Sequence, residues 1–221
     1  MSNQPPLVLA SGSPRRRALL GLLGLSFLVD PSGAGEVAPA GMTAEEVARF
    51  LALLKAREVA ARHPGAYILG ADTLVTVDGL ILGKPIHTAD AARMLRLLRG
   101  RAHRVPTGVA LIAPDGTETA LVETATVTMH PYTEVAISAY LATDEPFDKA
   151  GAYAVQGAGG ALVASVEGCY TTVVGFPLCR VAVLLRDAGF ALPTNPMTGC
   201  APGYSCAMGP SGAVRATTSP L

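Results

Sequence analysis

Apolar and polar positions along this chain follow two rhythms, one of period two and one near 3.6, and their succession marks out the elements. An apolar strand at residues 7–9 runs into Ser11-Gly12-Ser13-Pro14 and then into a helix whose first turn carries Arg15, Arg16 and Arg17. That helix stops at Gly24, and residues 26–29 read as a second strand. Thr43-Ala44-Glu45-Glu46 is a capping box, and after it Val47, Phe50, Leu51, Leu54 and Val59 recur at helical spacing. Residues 67–69 form an apolar strand leading into Gly70-Ala71-Asp72-Thr73. Residues 74–77 continue extended, Asp78-Gly79 supplies a hairpin turn, and residues 80–82 return. A helix follows over 90–98, with Ala91, Met94, Leu95 and Leu98 as its apolar stripe. Two strands over 107–112 and 118–129 are joined by Pro114-Asp115-Gly116. A helical turn or two over 135–141, a strand over 162–166, a turn at 173–177 and a last helix over 178–185 complete the pattern. From residue 193 Gly, Pro, Ser and Thr dominate and periodicity ends. The chain is therefore expected to comprise one domain over 1–192 and a disordered tail over 193–221. Alternating strands and helices followed by hairpins predict an α/β fold with a mixed sheet, in two lobes flanking a cleft.

Composition narrows the function. Of 221 residues, 50% are apolar and only 15% charged, with 17 basic residues against 17 acidic. Non-specific affinity for nucleic acid depends on a large basic excess, so general nucleic-acid binding is excluded. No apolar run has the length of a membrane span and no signal-like segment precedes the first strand, so a cytoplasmic location is expected. Cys169, Cys179, Cys200 and Cys206 have neither CxxC spacing nor an adjacent histidine, which argues against zinc. In a neutral chain, three adjacent arginines point to a local site.

The chemistry of that site follows from the helix start. Unpaired N–H groups and the positive end of the helix dipole bind anions, and guanidinium forks match phosphate geometry. On its own, Ser13-Pro14-Arg15-Arg16 is equally a capped helix with a solvated basic end. Asp72 lies in an almost wholly apolar strand, where a carboxylate is costly unless paired, hydrogen-bonded or bound to metal. The hairpin at Asp78-Gly79 brings Lys84 back to the same end as Asp72. Lys55 falls near the buried face of its helix, where it snorkels outward or meets a buried anion. Glu36, in a glycine-rich loop, reads from the residues alone as an ordinary loop carboxylate. Residues 144–157 pack acids, Lys149, Tyr153 and Gln156 among glycines, more polar chemistry than a loop needs.

Taken together, LASGSPRR at 9–16, GADT at 70–73, LGKP at 82–85, EPFDKAGAY at 145–153 and VVGFPL at 173–178 resemble the Maf family of nucleotide pyrophosphatases. The match runs in order over about residues 7–190. The resemblance implies an elongated α/β fold with a central groove, related to the inosine-triphosphate pyrophosphatases. It implies hydrolysis of a nucleoside triphosphate to the monophosphate and pyrophosphate with a divalent cation, Mg²⁺ or Mn²⁺, in a homodimer. It assigns Asp72 as proton acceptor and puts Ser11, Arg15, Arg16, Lys55 and Lys84 on the phosphate side. Glu36 becomes the loop acid and, with Asp72, the candidate metal ligand, although many members carry two consecutive acids where this chain has Gly35-Glu36. Arg15, Thr73 and Gln156 match the positions of the dTTP- and UTP-preferring subfamily. Two other readings stay open: a pyrophosphatase of modified pyrimidine nucleotides such as 5-methyl-UTP or pseudo-UTP, and a non-catalytic nucleotide-binding regulator of septum formation. Whether Asp72 acts as base or as metal ligand is also open.

Overall fold

Alternation becomes one sheet in which both faces are covered. In the computed structural model, which describes residues 4–143 and 145–192, the strands are β1 (Leu7–Leu9), β2 (Leu28–Val29), β3 (Tyr67–Thr73), β4 (Val75–Val77), β5 (Leu80–Leu82), β6 (Ala102–Ile112), β7 (Glu118–Met129) and β8 (Val163–Glu167). Their order is β2-β1-β3-β6-β4-β5, with β7 on β6 and β8 on β7. β1 runs parallel to β2 and β3, and the other pairs are antiparallel. The expected tail, 193–221, lies outside the described residues.

β6 ties the sheet together. Its second half, from Thr107 opposite Thr73 to Ile112 opposite Ile68, pairs with β3. Its first half reaches β4 through Arg104 opposite Thr76, and β7 lines its full length on the other side. The strand begins five residues earlier than the sequence suggests, because alternately buried His103 and Val105 and exposed Ala102 and Arg104 form a half-buried strand among polar residues.

The helices are α1 (Pro14–Gly21), α2 (Ala44–Ala60), α3 (Thr88–Leu98), α4 (Glu134–Leu141), α5 (Tyr170–Val174) and α6 (Leu178–Asp187). Odd-numbered Leu7, Leu9, Leu69, Ala71, Val109 and Leu111 pack against Leu19 and Leu20 of α1 and Val181 and Leu185 of α6. Even-numbered Val8, Ala10, Ile68, Ala110 and Ile112 pack against Ala52, Ala56 and Val59 of α2. At the other end, Val75, Val77, Val105 and Val127 pack against Leu95 and Leu98 of α3 and Ile137 of α4. The two expected lobes are thus two ends of one continuous sheet. Residues 173–177 open inside α5, which Gly175 ends with φ +112°, and the polar stretch winds into three short 3₁₀ segments between Glu145 and Leu162. Such i→i+3 turns in a glycine-rich sequence leave no apolar period to read.

Two glycines bring α2 onto the sheet backbone. A Cβ at Gly70 would lie 2.3 Å from the Ala52 carbonyl oxygen, and one at Gly108 would lie 2.2 Å from that of Ala48. This close approach, along a helix face of small alanines, carries Lys55 to the end of β3. The start of α2 is fixed as its sequence predicts: the Glu46 amide donates to Thr43 Oγ1, and the Thr43 amide donates to Glu46 Oε2 at 2.7 Å.

Candidate active site

β3 ends on Asp72 and Thr73, and in a strand consecutive side chains point to opposite faces. Asp72 emerges on the α2 face. There the Lys55 ammonium donates to Asp72 Oδ1 and to Glu36 Oε1, each at 2.6 Å. The Asp72 side chain is 8% exposed and that of Lys55 12%, whereas that of Glu36 is 59% exposed. Burial holds the Asp72 carboxyl above the ordinary aspartate range, against the pull of Lys55 and Arg16. The hydrogen bond from Lys55 holds Glu36 below the ordinary glutamate range. Two carboxylates on one ammonium are thereby driven in opposite directions. The loop that carries Glu36 is held to the end of the same helix and the turn after it: the Gly33 amide donates to Glu58 Oε2 at 2.9 Å, and Arg62 Nε donates to Asp30 Oδ2 at 2.9 Å.

Thr73 emerges on the opposite face, beside α1. Ser13 caps that helix, Pro14 occupies its first turn, and Ser11 Oγ accepts from the Ser13 amide. Arg16 folds back from α1 and donates through Nε to the Gly175 carbonyl at 2.9 Å, through Nη1 to Ser11 Oγ at 3.1 Å and through Nη2 to Thr73 Oγ1 at 3.2 Å. All three acceptors are neutral. Burial pulls the Arg16 guanidinium down from its ordinary value, offset in part by the charge of Asp72. Its charge is held in place without being cancelled by a bonded carboxylate, the condition of an anion site. Arg15 turns instead toward Asp148, at 3.6 Å, and Arg17 is exposed.

These groups share one cleft of about 840 Å³. It is lined by every residue that the sequence proposes: Ser11, Arg15, Arg16, Glu36, Lys55, Asp72, Thr73, Lys84 and Gln156. Lys84 and Gln156 are exposed. Lys55, expected on the phosphate side, is bonded to both candidate metal carboxylates. Sequence reasoning left Asp148, Lys149 and Tyr153 unassigned, and all three also line the cleft. Their signal was the density of polar residues in that stretch, which marks a segment without choosing among its members. Behind this stretch the Glu145 carboxylate accepts from the Ala158 and Gly159 amides, both at 3.0 Å, and from the Tyr140 hydroxyl. Gly157, at φ +69°, is where a Cβ would strike that carboxylate, at 2.5 Å, so this turn beside Gln156 requires glycine.

The donor set suits a hard divalent cation. Lys55 draws the two carboxylates together through Glu36 Oε1 and Asp72 Oδ1, which leaves the second oxygen of each without a bond to Lys55. Among the described residues no group of three or more His, Cys, Asp or Glu could hold a metal ion. A two-carboxylate site completed by water and phosphate oxygens is the usual habit of Mg²⁺.

The family model described as Maf-like protein matches residues 6–188 of this chain. The chain belongs to the Maf family. Among its Maf-family relatives, the dTTP/UTP pyrophosphatase of Moorella thermoacetica is 52% identical over 184 residues, 83% of this chain and 95% of the relative. The dTTP/UTP pyrophosphatase of Myxococcus xanthus is 48% identical over 192 residues, 87% of this chain and 97% of that one. A solved nucleoside-triphosphatase, or dITP/XTP pyrophosphatase, from Mycobacterium abscessus aligns over 57% of this chain and 75% of its own, at 20% identity and a TM-score of 0.40. No helix among the described residues of this Maf protein is long and apolar enough to cross a membrane.

Proposed function

We propose that this Maf-family chain hydrolyses dTTP and UTP to the monophosphate and pyrophosphate in the cleft at the end of β3. The observation that carries the reading is the pairing of a buried carboxylate, Asp72, whose proton affinity burial raises, with an arginine, Arg16, bonded only to neutral acceptors. Relatives named for this activity are matched over nearly their whole length.

In this reading Arg16, Lys84 and the start of α1 bind the phosphates. Asp72 takes the proton of the water that attacks the α-phosphorus, the α–β bridging bond breaks, and pyrophosphate leaves with its electron pair. Lys55 holds Asp72 and Glu36 in place. A divalent cation, when bound by Glu36 and Asp72, supplies neutralisation of phosphate charge. A carboxylate has two oxygens, so Asp72 can serve as ligand through one and as base through the other. Gln156 faces the cleft with an amide that both donates and accepts, matching the O4 and N3–H edge of thymine or uracil. Arg15, Thr73 and Gln156 keep the specificity places that the resemblance gives them, and Arg16, bonded to Thr73, stays on the phosphate side beside them.

The test is a panel of ordinary and modified nucleoside triphosphates, 5-methyl-UTP and pseudo-UTP included, with Mg²⁺ or Mn²⁺, assayed for pyrophosphate against orthophosphate. Pyrophosphate from dTTP and UTP ahead of the purine nucleotides is expected. Orthophosphate as the first product refutes cleavage between the α and β phosphorus atoms.

A further inference from the structure

Arg16 is joined to β6 by a chain of hydroxyl groups whose direction is fixed at both ends. A guanidinium can only donate, so Thr73 Oγ1 accepts from Arg16 Nη2 at 3.2 Å. A carbonyl oxygen can only accept, so Thr107 gives its hydroxyl proton to the Thr172 carbonyl, at 2.8 Å. Thr73 Oγ1 and Thr107 Oγ1 are 2.9 Å apart. Each hydroxyl has one proton and that of Thr107 is spent, so Thr73 is the donor between them. The relay closes into a ring: Thr107 holds Thr172 of α5, and Gly175 at the end of α5 accepts from Arg16 Nε at 2.9 Å. Thr107 is fully buried and does not line the cleft.

We propose that Thr107 is a positioning residue: by taking the proton of Thr73 it makes Thr73 an acceptor-only group toward the nucleotide and fixes the Arg16 guanidinium in the cleft. The inference rests on the nucleotide reading above for its substrate, but the relay itself can be read without one. With its proton on Thr107 and one lone pair on Arg16, Thr73 has a single lone pair to offer. The nucleotide atom that meets it must therefore bring a hydrogen, as an N–H or O–H group. A threonine free to turn its hydroxyl would take either kind of partner.

The experiment compares Thr107→Val, which keeps the shape and removes the hydroxyl, with Thr107→Ser, which keeps the relay. Loss of one such hydrogen bond is expected to raise KM for dTTP about tenfold in the valine variant while kcat stays within about threefold. The serine variant is expected to keep the parent KM. The second readout is the Arg16 Nε–H signal in ¹⁵N NMR, assigned by its loss in Arg16→Lys. It should be protected from exchange in the parent and in Thr107→Ser, and exchange at least about tenfold faster in Thr107→Val. A valine variant with the parent KM and the parent Arg16 signal overturns the proposal. Should thermal melting show Thr107→Val unfolded at the assay temperature, Thr73→Val breaks the same relay from the cleft side, and an unchanged Arg16 signal there overturns it equally. A parent that hydrolyses none of the nucleotide panel refutes the function proposed above, and the Arg16 signal still decides the relay.

Discussion

The two faces of the sheet at the end of β3 settle their most buried polar groups in different ways. On the α2 face the partners are ions: Lys55 with Asp72 and Glu36, Arg104 with Glu45, and Arg57 with Glu118. On the other face β6 buries Thr107, bonded to Thr73 and Thr172, and His103, bonded through Nε2 to the Tyr153 hydroxyl at 2.7 Å. Those two side chains are 0% and 3% exposed, whereas the ionic partners reach the cleft or the surface. Desolvation decides the division, because a neutral hydroxyl or imidazole enters the interior for the strength of one hydrogen bond, while a charge needs its partner and some water as well. The same face also carries a surface ion pair, Arg180 of α6 with Glu123, which lies opposite Thr107 on β7, so Arg16 stands out there as the cation held by neutral acceptors alone.

The contrast breaks most sharply at its catalytic end. Asp72→Asn is expected to lower kcat for pyrophosphate release by about 10³-fold while the circular dichroism spectrum stays that of the parent, since general-base contributions are of that size. Near-parent turnover would remove Asp72 from the chemistry.

Acid should find the weak point of the neutral face. Burial holds His103 neutral by pushing its pKa from 6.5 down to about 4. The unfolded chain takes up that proton as pH falls through 6.5 and the folded chain does not until about 4, so stability is fully present above the upper value and is lost across the window. The loss amounts to about 3 kcal/mol by linkage, read as a fall in urea midpoint between those pH values. His103→Gln should flatten this limb, and an unchanged limb would place its origin elsewhere.

Gly70→Ala tests how the ionic face is assembled. The new methyl meets a backbone oxygen of α2, so a loss of about 2–3 kcal/mol in unfolding free energy is expected, with reduced turnover as Lys55 is displaced. Arg16→Lys, the smallest of these changes, keeps the charge and loses the fork, and should raise KM for the triphosphate about tenfold with little change in melting temperature. A KM equal to the parent's would return the phosphate role to Arg15 or Lys84.

Much of this molecule is written in local pattern. The unbroken apolar runs in β1, β3 and the second half of β6 marked strands buried on both faces, the capping box at Thr43 fixed the start of α2, and the apolar setting of Asp72 marked it as a carboxylate with a task. The five short motifs held six of the nine candidate side chains, and the family resemblance added Glu36, Lys55 and Gln156 before any contact was known. Partner choice was not legible. Nothing local says that Lys55 lies between Glu36 and Asp72, that Arg16 and not Arg15 reaches Thr73, or that an unremarked threonine on β6 completes the chain. Those pairings depend on which strands lie side by side and how closely α2 approaches them. Period and propensity determine which face a side chain takes; strand order and the backbone contact at Gly70 and Gly108, set by residues far apart in the chain, determine what it meets there.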